Sequence, residues 1–198
     1  MAPEPLPAVE ALARAHAAQA PVQLGLLQSL HVISLRHLDA GGPGDPPPPA
    51  AAHWPAPGDS CGDDPCLLWR SPNEALALTQ DAGVAARMLE ALAPGREPLR
   101  CAVDLSQALQ AVELSGPGID VLMPRLLDAG ALPRRPGAAT RSRCADLAVT
   151  LLRRDAERLW LLVERPDLDF MALWLLEACE RLGAEGRLPV AMPGASPG

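Results

Sequence analysis

An α+β fold, with a mostly antiparallel sheet and helices packed on one of its faces, is what this sequence predicts, and three observations predict it. Downstream of Cys66, apolar runs of strand length come in consecutive pairs, each pair is followed by one segment with helical spacing, and this order recurs three times. Strands joined by short turns pair antiparallel, and a single helix after each pair has an apolar stripe to bury against them. No clean internal sequence repeat accompanies the recurrence.

Residues 1–20 read as a mobile, Ala-rich tail with helical turns around Ala8 to Ala18. Residues 21–39 form an N-terminal strand region. Within Leu24 to Leu38, His31, Ile33 and Leu35 alternate with Val32, Ser34 and Arg36, which suits a strand, while an apolar run this short leaves a buried helix open. Residues 40–64 carry Gly41-Gly42-Pro43-Gly44, the run Pro46 to Pro49, Pro55, Pro57 and Gly58, a density of Pro and Gly that implies an extended surface loop.

The ordered domain spans 65–184. Cys66 to Trp69 reads as a strand, Ser71-Pro72-Asn73-Glu74 as a turn and Ala75 to Leu78 as the partner strand. Val84, Met88 and Leu92 at i, i+4, i+8 mark a helix that Pro94-Gly95 stops. The organising stretch is Cys101 to Leu127. Val103, Leu105, Val112 and Leu114 favour half-buried extended backbone, and Ser115-Gly116-Pro117-Gly118 breaks the second strand. A helix follows with Ile119, Leu122, Met123, Leu126 and Leu127 on one face; Ser115 is the expected cap, and Pro124 predicts a short first piece with a bent continuation. Gly130 to Gly137 is a loop. Leu147, Val149 and Leu151 alternate on one strand, residues 154–157 turn, and Leu159, Leu161 and Val163 alternate on its return. Pro166 opens the last helix, with Phe170, Leu173, Trp174 and Ala178 on one face and Gly183 ending it. Residues 185–198 are expected to be a disordered tail.

A chain of 198 residues can bury a real core. Its net charge of −7, with 17 Arg and no Lys, argues against nonspecific binding to a nucleic-acid backbone. No basic, apolar leader opens the sequence and no run approaches the ~20 apolar residues of a membrane span, so a cytoplasmic protein with five free thiols is expected, bound to neither nucleic acid nor membrane.

Chemical motifs are sparse. Gly41-Gly42-Pro43-Gly44 lacks the flanking strand and helix of a phosphate loop, and its proline removes a donor. Leu114-Ser115-Gly116 lacks the glycine two residues before a nucleophilic serine. Cys61 and Cys66 with His53 fall short of four zinc ligands and read as two reduced cysteines; Cys101, Cys144 and Cys179 read as small core residues. His31 and His37 have no evident carboxylate and nucleophile partners. Arg134-Arg135, Arg141, Arg143 and Arg153-Arg154 read as a solvated or partner-facing basic face, and Trp160 as a partner-facing anchor. No catalytic, cofactor-binding or metal-ligating residue is assigned.

Val103-Asp104-Leu105-Ser106, Val112-Glu113-Leu114-Ser115-Gly116-Pro117, a short helix, Thr140-Arg141-Ser142-Arg143 leading into a hairpin, and a Trp-bearing last helix together resemble the gamma subunit of heterotetrameric sarcosine oxidase. The wider pattern is that of the folate-binding aminomethyltransferase (T-protein) superfamily. Leu67 to Leu76 is similar to the family's strand-turn-strand, and Ser34-Leu35-Arg36 to its N-terminal strand; the resemblance covers roughly residues 60 to 183. It implies a fold like the T-protein N-terminal domain and a structural subunit of a cytoplasmic hetero-oligomer. FAD, FMN, NAD and tetrahydrofolate would then belong to the larger flavoprotein subunits, which demethylate sarcosine oxidatively to glycine, and none to this chain. A free-standing folate-binding or aminomethyltransferase-like protein is the alternative. Of the superfamily's acidic folate segment only Asp146 is present, so no folate site is carried over.

Overall fold

The computed structural model describes residues 20–37, 54–93 and 100–185; the N-terminal tail through residue 19, the Gly41-Gly42-Pro43-Gly44 run, His53, and the C-terminal tail from residue 186 lie outside them. Among the described residues the strands are β1 Gln23–Leu26, β2 His31–His37, β3 Ser60–Cys61, β4 Cys66–Ser71, β5 Glu74–Thr79, β6 Arg100–Asp104, β7 Leu109–Ser115, β8 Ala139–Cys144, β9 Leu147–Asp155 and β10 Arg158–Glu164. The helices are α1 Ala82–Ala91, α2 Ile119–Leu122 and α3 Leu168–Glu185, with 3-10 turns at Met123–Arg125 and Arg165–Asp167.

The strands make two five-stranded sheets, ordered β1-β7-β10-β9-β8 and β3-β4-β5-β2-β6, and every pairing is antiparallel. The alternation along each strand explains the layering. Leu159, Leu161 and Val163 of β10 join Val112, Leu114, Val149 and Leu151 in a cluster closed by α2 and by Leu168, Met171, Ala172 and Leu175 of α3. Leu162, Leu152 and Ala111 point the other way and meet Val32, Leu68, Leu76 and Leu78 of the second sheet. On the far side of that sheet, Ile33, Leu35, Leu67 and Ala77 pack on Ala85 and Met88 of α1. The result is helix, sheet, sheet, helix. Each sheet carries helices on one face only, as expected, because the other sheet covers its second face.

Several elements differ from the sequence reading. The described part of the Leu24 to Leu38 stretch, through His37, is two strands, broken at Leu27–Leu30 where Ser29 takes a left-handed conformation (φ 56°), and the break passes the chain from one sheet to the other. The end of the expected 40–64 loop contains β3 and a bridge from Asp59 to Ala138. Thr140 to Arg143 is not a lead-in but most of β8, an edge strand paired with β9. Its turn, Ala145-Asp146, uses positive φ at two non-glycine residues (48° and 68°), so it lacks the Asn-Gly signature of a tight hairpin. Gly183 lies within α3, not beyond it.

Around α2 the capping differs too. Ser115 is the last residue of β7 and makes no cap; Gly118 is the N-cap, with no side-chain bond, and its N–H donates to Pro21 O at 2.9 Å. Pro124 behaves as expected, since the α-helix stops at Leu122 and continues as the 3-10 turn.

Candidate functional site

The motifs that carried the family resemblance are chain-reversal devices. In Asp104-Leu105-Ser106, the Ser106 hydroxyl and amide both donate to Asp104 Oδ1, at 2.5 and 2.8 Å, and hold its carboxyl below the usual range. The Ser106 oxygen accepts from Val32 N at 3.0 Å, and Leu105 N donates to Val32 O at 2.7 Å, so the turn after β6 is stitched to β2. Gly116 ends β7 at φ 119°, and its N–H donates to Glu157 O at 2.9 Å. Asp146 stands at the tip of the β8–β9 hairpin with its side chain 99% exposed, facing Arg143 at 3.8 Å.

A cleft of about 340 Å³ lies where β3, the loop after it and the 136–137 turn meet β9; Ser60, Asp63, Gly137, Arg153 and Arg154 line it. Three of its polar side chains, Ser60, Arg153 and Arg154, are already engaged. Ser60 Oγ donates to Gly137 O at 2.8 Å, and Arg135 just outside is paired with Asp59. Arg153, only 1% exposed, donates from Nε to Pro133 O at 3.0 Å, from Nη1 to Ala156 O at 3.3 Å and from Nη2 to Asp120 of α2. The Arg154 guanidinium lies 4.5 Å above the Trp160 ring, whose Nε1 donates to Glu113 Oε2 at 2.8 Å. These cations clasp loops and rings of their own chain.

That arrangement corrects two expectations. The solvated basic face holds for Arg134, Arg135, Arg141 and Arg143, which are exposed, but not for Arg153, which is buried against Asp120, or for Arg154, which covers Trp160. Trp160 is not an outward anchor either. It is half-buried beside the inter-sheet cluster, with both its N–H and its ring satisfied within the chain.

Four of the five thiols are poor nucleophiles. Burial pushes Cys144 and Cys179 up to about 11, and burial raises Cys61 and Cys66 as well, so the protonated form prevails at neutral pH. Cys61 packs with the cluster on the α1 side of the second sheet, whereas Cys66 packs between the sheets, so the two side chains leave opposite faces and do not converge on one ion. No group of three potential metal ligands occurs among the described residues. His31 lies on β2 opposite Thr79, across from the Asp81 cap of α1.

What the surface does show is apolar. Of the large hydrophobic side chains exposed among the described residues, three sit on α3: Phe170 (50%), Leu173 (58%) and Trp174 (43%). The Phe170 and Trp174 rings stack with centroids 6.0 Å apart. The sequence had grouped these residues on one face; the structure turns that face outward and buries Leu168, Met171, Ala172 and Leu175 instead.

Compared with solved structures, the chain is similar to one from heterotetrameric sarcosine oxidase of Corynebacterium sp. U-96, in complex with pyrrole 2-carboxylate: TM-score 0.74, 22% identity, 97% of this chain and 99% of that one. The two share a fold. The likeness spans nearly the whole chain and supports the α+β class read from the sequence. No protein-family model and no curated protein matches the sequence. No helix among the described residues is long and apolar enough to cross a membrane.

Proposed function

We propose that this chain is a noncatalytic structural subunit of a heterotetrameric sarcosine oxidase complex, corresponding to its gamma subunit, in the cytoplasm. The observation that carries the reading is the end-to-end likeness in fold to a chain of such an assembly, over 97% of this chain and 99% of that one. In this reading the oxidative demethylation of sarcosine to glycine, with its FAD, FMN, NAD and tetrahydrofolate, takes place on the larger subunits.

The chain's own chemistry supports that division of labour. Among the described residues, Ser60, Arg153 and Arg154 of the cleft are spent on partners within the chain, and burial raises the thiols of Cys61, Cys66, Cys144 and Cys179. The residues present do not fit a tetrahydrofolate site of their own: Asp146, the remaining acidic position of the superfamily pattern, projects into solvent from a hairpin tip beside Arg143. Co-expression with the large flavoprotein subunits of its source organism tests the proposal. A complex that survives gel filtration and carries flavin, alongside an isolated chain without flavin absorbance, is expected. A monodisperse chain that ignores those subunits, or one that binds flavin stoichiometrically by itself, refutes it.

A further inference from the structure

We infer that the outward face of α3 is the surface by which this chain docks on a protein partner that offers an apolar pocket rimmed by arginine or lysine. The inference rests on the subunit reading above and adds to it the place of contact and the chemistry of the occupant.

α3 has two apolar sides. One is spent on the core through Leu168, Met171, Ala172 and Leu175. The other presents Phe170, Leu173 and Trp174 at i, i+3 and i+4, so their side chains form one continuous outward patch. A solvent-facing helix ordinarily puts polar groups there. Exposed Trp and Phe in mutual contact are the residue types that dominate binding energy when a partner desolvates them. Trp174 is also preorganised, since its ring is already stacked on Phe170 with an interplanar angle of 17°.

Charge selects among occupants. Glu164, Asp167 and Asp169 precede or flank the N-terminal end of the patch, and Glu177 and Glu180 follow it. Against these five carboxylates the segment 164–181 has two guanidinium groups. Arg165 is drawn away to Gln107 O at 3.0 Å and Gln110 Oε1 at 3.3 Å, and Arg181 is paired with Glu177. A two-fold antiparallel pairing of α3 with a second copy, centred on the patch, would set Glu177 and Glu180 of one copy against Asp167 and Glu164 of the other. Like charges would then meet at both ends. The N-terminal residues 1–19 make a poor cover as well, because Arg14 is their one arginine against Glu4 and Glu10. A basic-rimmed partner turns the same carboxylates into attraction.

The test co-expresses the full chain with the large flavoprotein subunits and measures affinity for three variants: Phe170→Ser/Trp174→Ser, Glu177→Arg/Glu180→Arg, and Val103→Ser as a control on β6. All substituted side chains are exposed, so thermal unfolding close to that of the parent verifies the fold before binding is scored. The aromatic pair is expected to weaken the complex at least ~30-fold, the charge reversal to slow association and flatten its salt dependence, and the control to do neither. A complex that tolerates the aromatic double substitution overturns the docking surface and leaves the subunit reading standing. A parent chain that forms no complex overturns both. A homodimer that dissolves on Trp174→Ser, or removal of residues 1–19 that newly exposes the patch to a hydrophobic dye, assigns the face to a second copy or to the chain's own tail and overturns the proposal.

Discussion

Replacing Gly116 by Ala should be among the most damaging single-methyl additions this chain can undergo, because two independent penalties coincide there. Gly116 has φ 119°, a conformation that L-residues rarely adopt, at a cost of ~1–3 kcal/mol for the strained backbone. An added Cβ would also stand 2.6 Å from the Pro21 carbonyl oxygen, a backbone atom in the segment leading into β1, and moving it adds another ~1–3 kcal/mol. Two nearby substitutions separate the terms. Gly130→Ala carries only the conformational one (φ 78°, nothing within 4 Å), ~1–2 kcal/mol. Gly118→Ala carries only the steric one: its φ is an ordinary −80°, and its Cβ would meet Pro21 O at 2.8 Å and Val22 Cγ2 at 2.9 Å. Urea unfolding followed by tryptophan fluorescence and circular dichroism should rank Gly116→Ala first, with a loss of ~4 kcal/mol and a midpoint lower by ~2 M. A Gly116→Ala protein no less stable than Gly130→Ala would mean that β1 does not lie against the β7–α2 turn as described.

Two further outcomes follow from charges. Arg153→Met keeps the packed stem and leaves the half-exposed Asp120 to hydrate, a loss of ~2–3 kcal/mol, whereas Asp120→Ala strands a buried guanidinium against two carbonyls and should cost ~3–5 kcal/mol. Denaturation of the double variant should recover at least ~1 kcal/mol relative to the sum of the two losses; strict additivity would show that the pair does not interact. Burial alone would raise the Glu74 carboxyl, but bonds from Ser34 at 2.6 Å and from Arg70 and Arg36 outweigh it and hold it below its ordinary 4.5. A depressed carboxyl stabilises fully above its unfolded value and loses that contribution as pH falls through the folded one. The stability gap between the parent and Glu74→Gln should therefore be constant near neutrality and shrink below 4.5; a gap that persists unchanged into that acid range would refute the assignment.

How much of this was legible depended on whether a strand's neighbours announced themselves locally. The β9–β10 hairpin was read correctly because Leu147, Val149 and Leu151, then Leu159, Leu161 and Val163, sit on one side of a short polar turn. The same alternation concealed the second sheet. Leu152 and Leu162 occupy the opposite faces and are as apolar as their neighbours, since that side is buried too, and a strand covered on both faces carries little information about which side meets a helix. β8 escaped because Thr140 to Arg143 is an edge strand with an exposed arginine at alternate positions and a turn made by Ala145 and Asp146. The break at Ser29 has no glycine or proline in Leu27–Leu30 to mark it, and its position is set by the two sheets it connects.

The same distinction decides between the two tryptophans. Trp160 lies on a strand whose other side chains alternate, so a sequence argument can say only that it leaves the face opposite Leu159 and Leu161, and that face proves to be the inter-sheet one. Its N–H is committed to Glu113 and its ring to Arg154, so changing it acts first on the fold. Trp174 shares a helix with enough apolar residues to satisfy either side, and periodicity alone cannot choose which stripe turns inward. The packing chooses: Met171, Ala172 and Leu175 are fully covered against the first sheet, and the rings of Phe170 and Trp174 remain outside. An aromatic pair excluded from the core on these grounds adds little to the stability of the isolated chain, which is why its substitution can probe binding while leaving the fold intact.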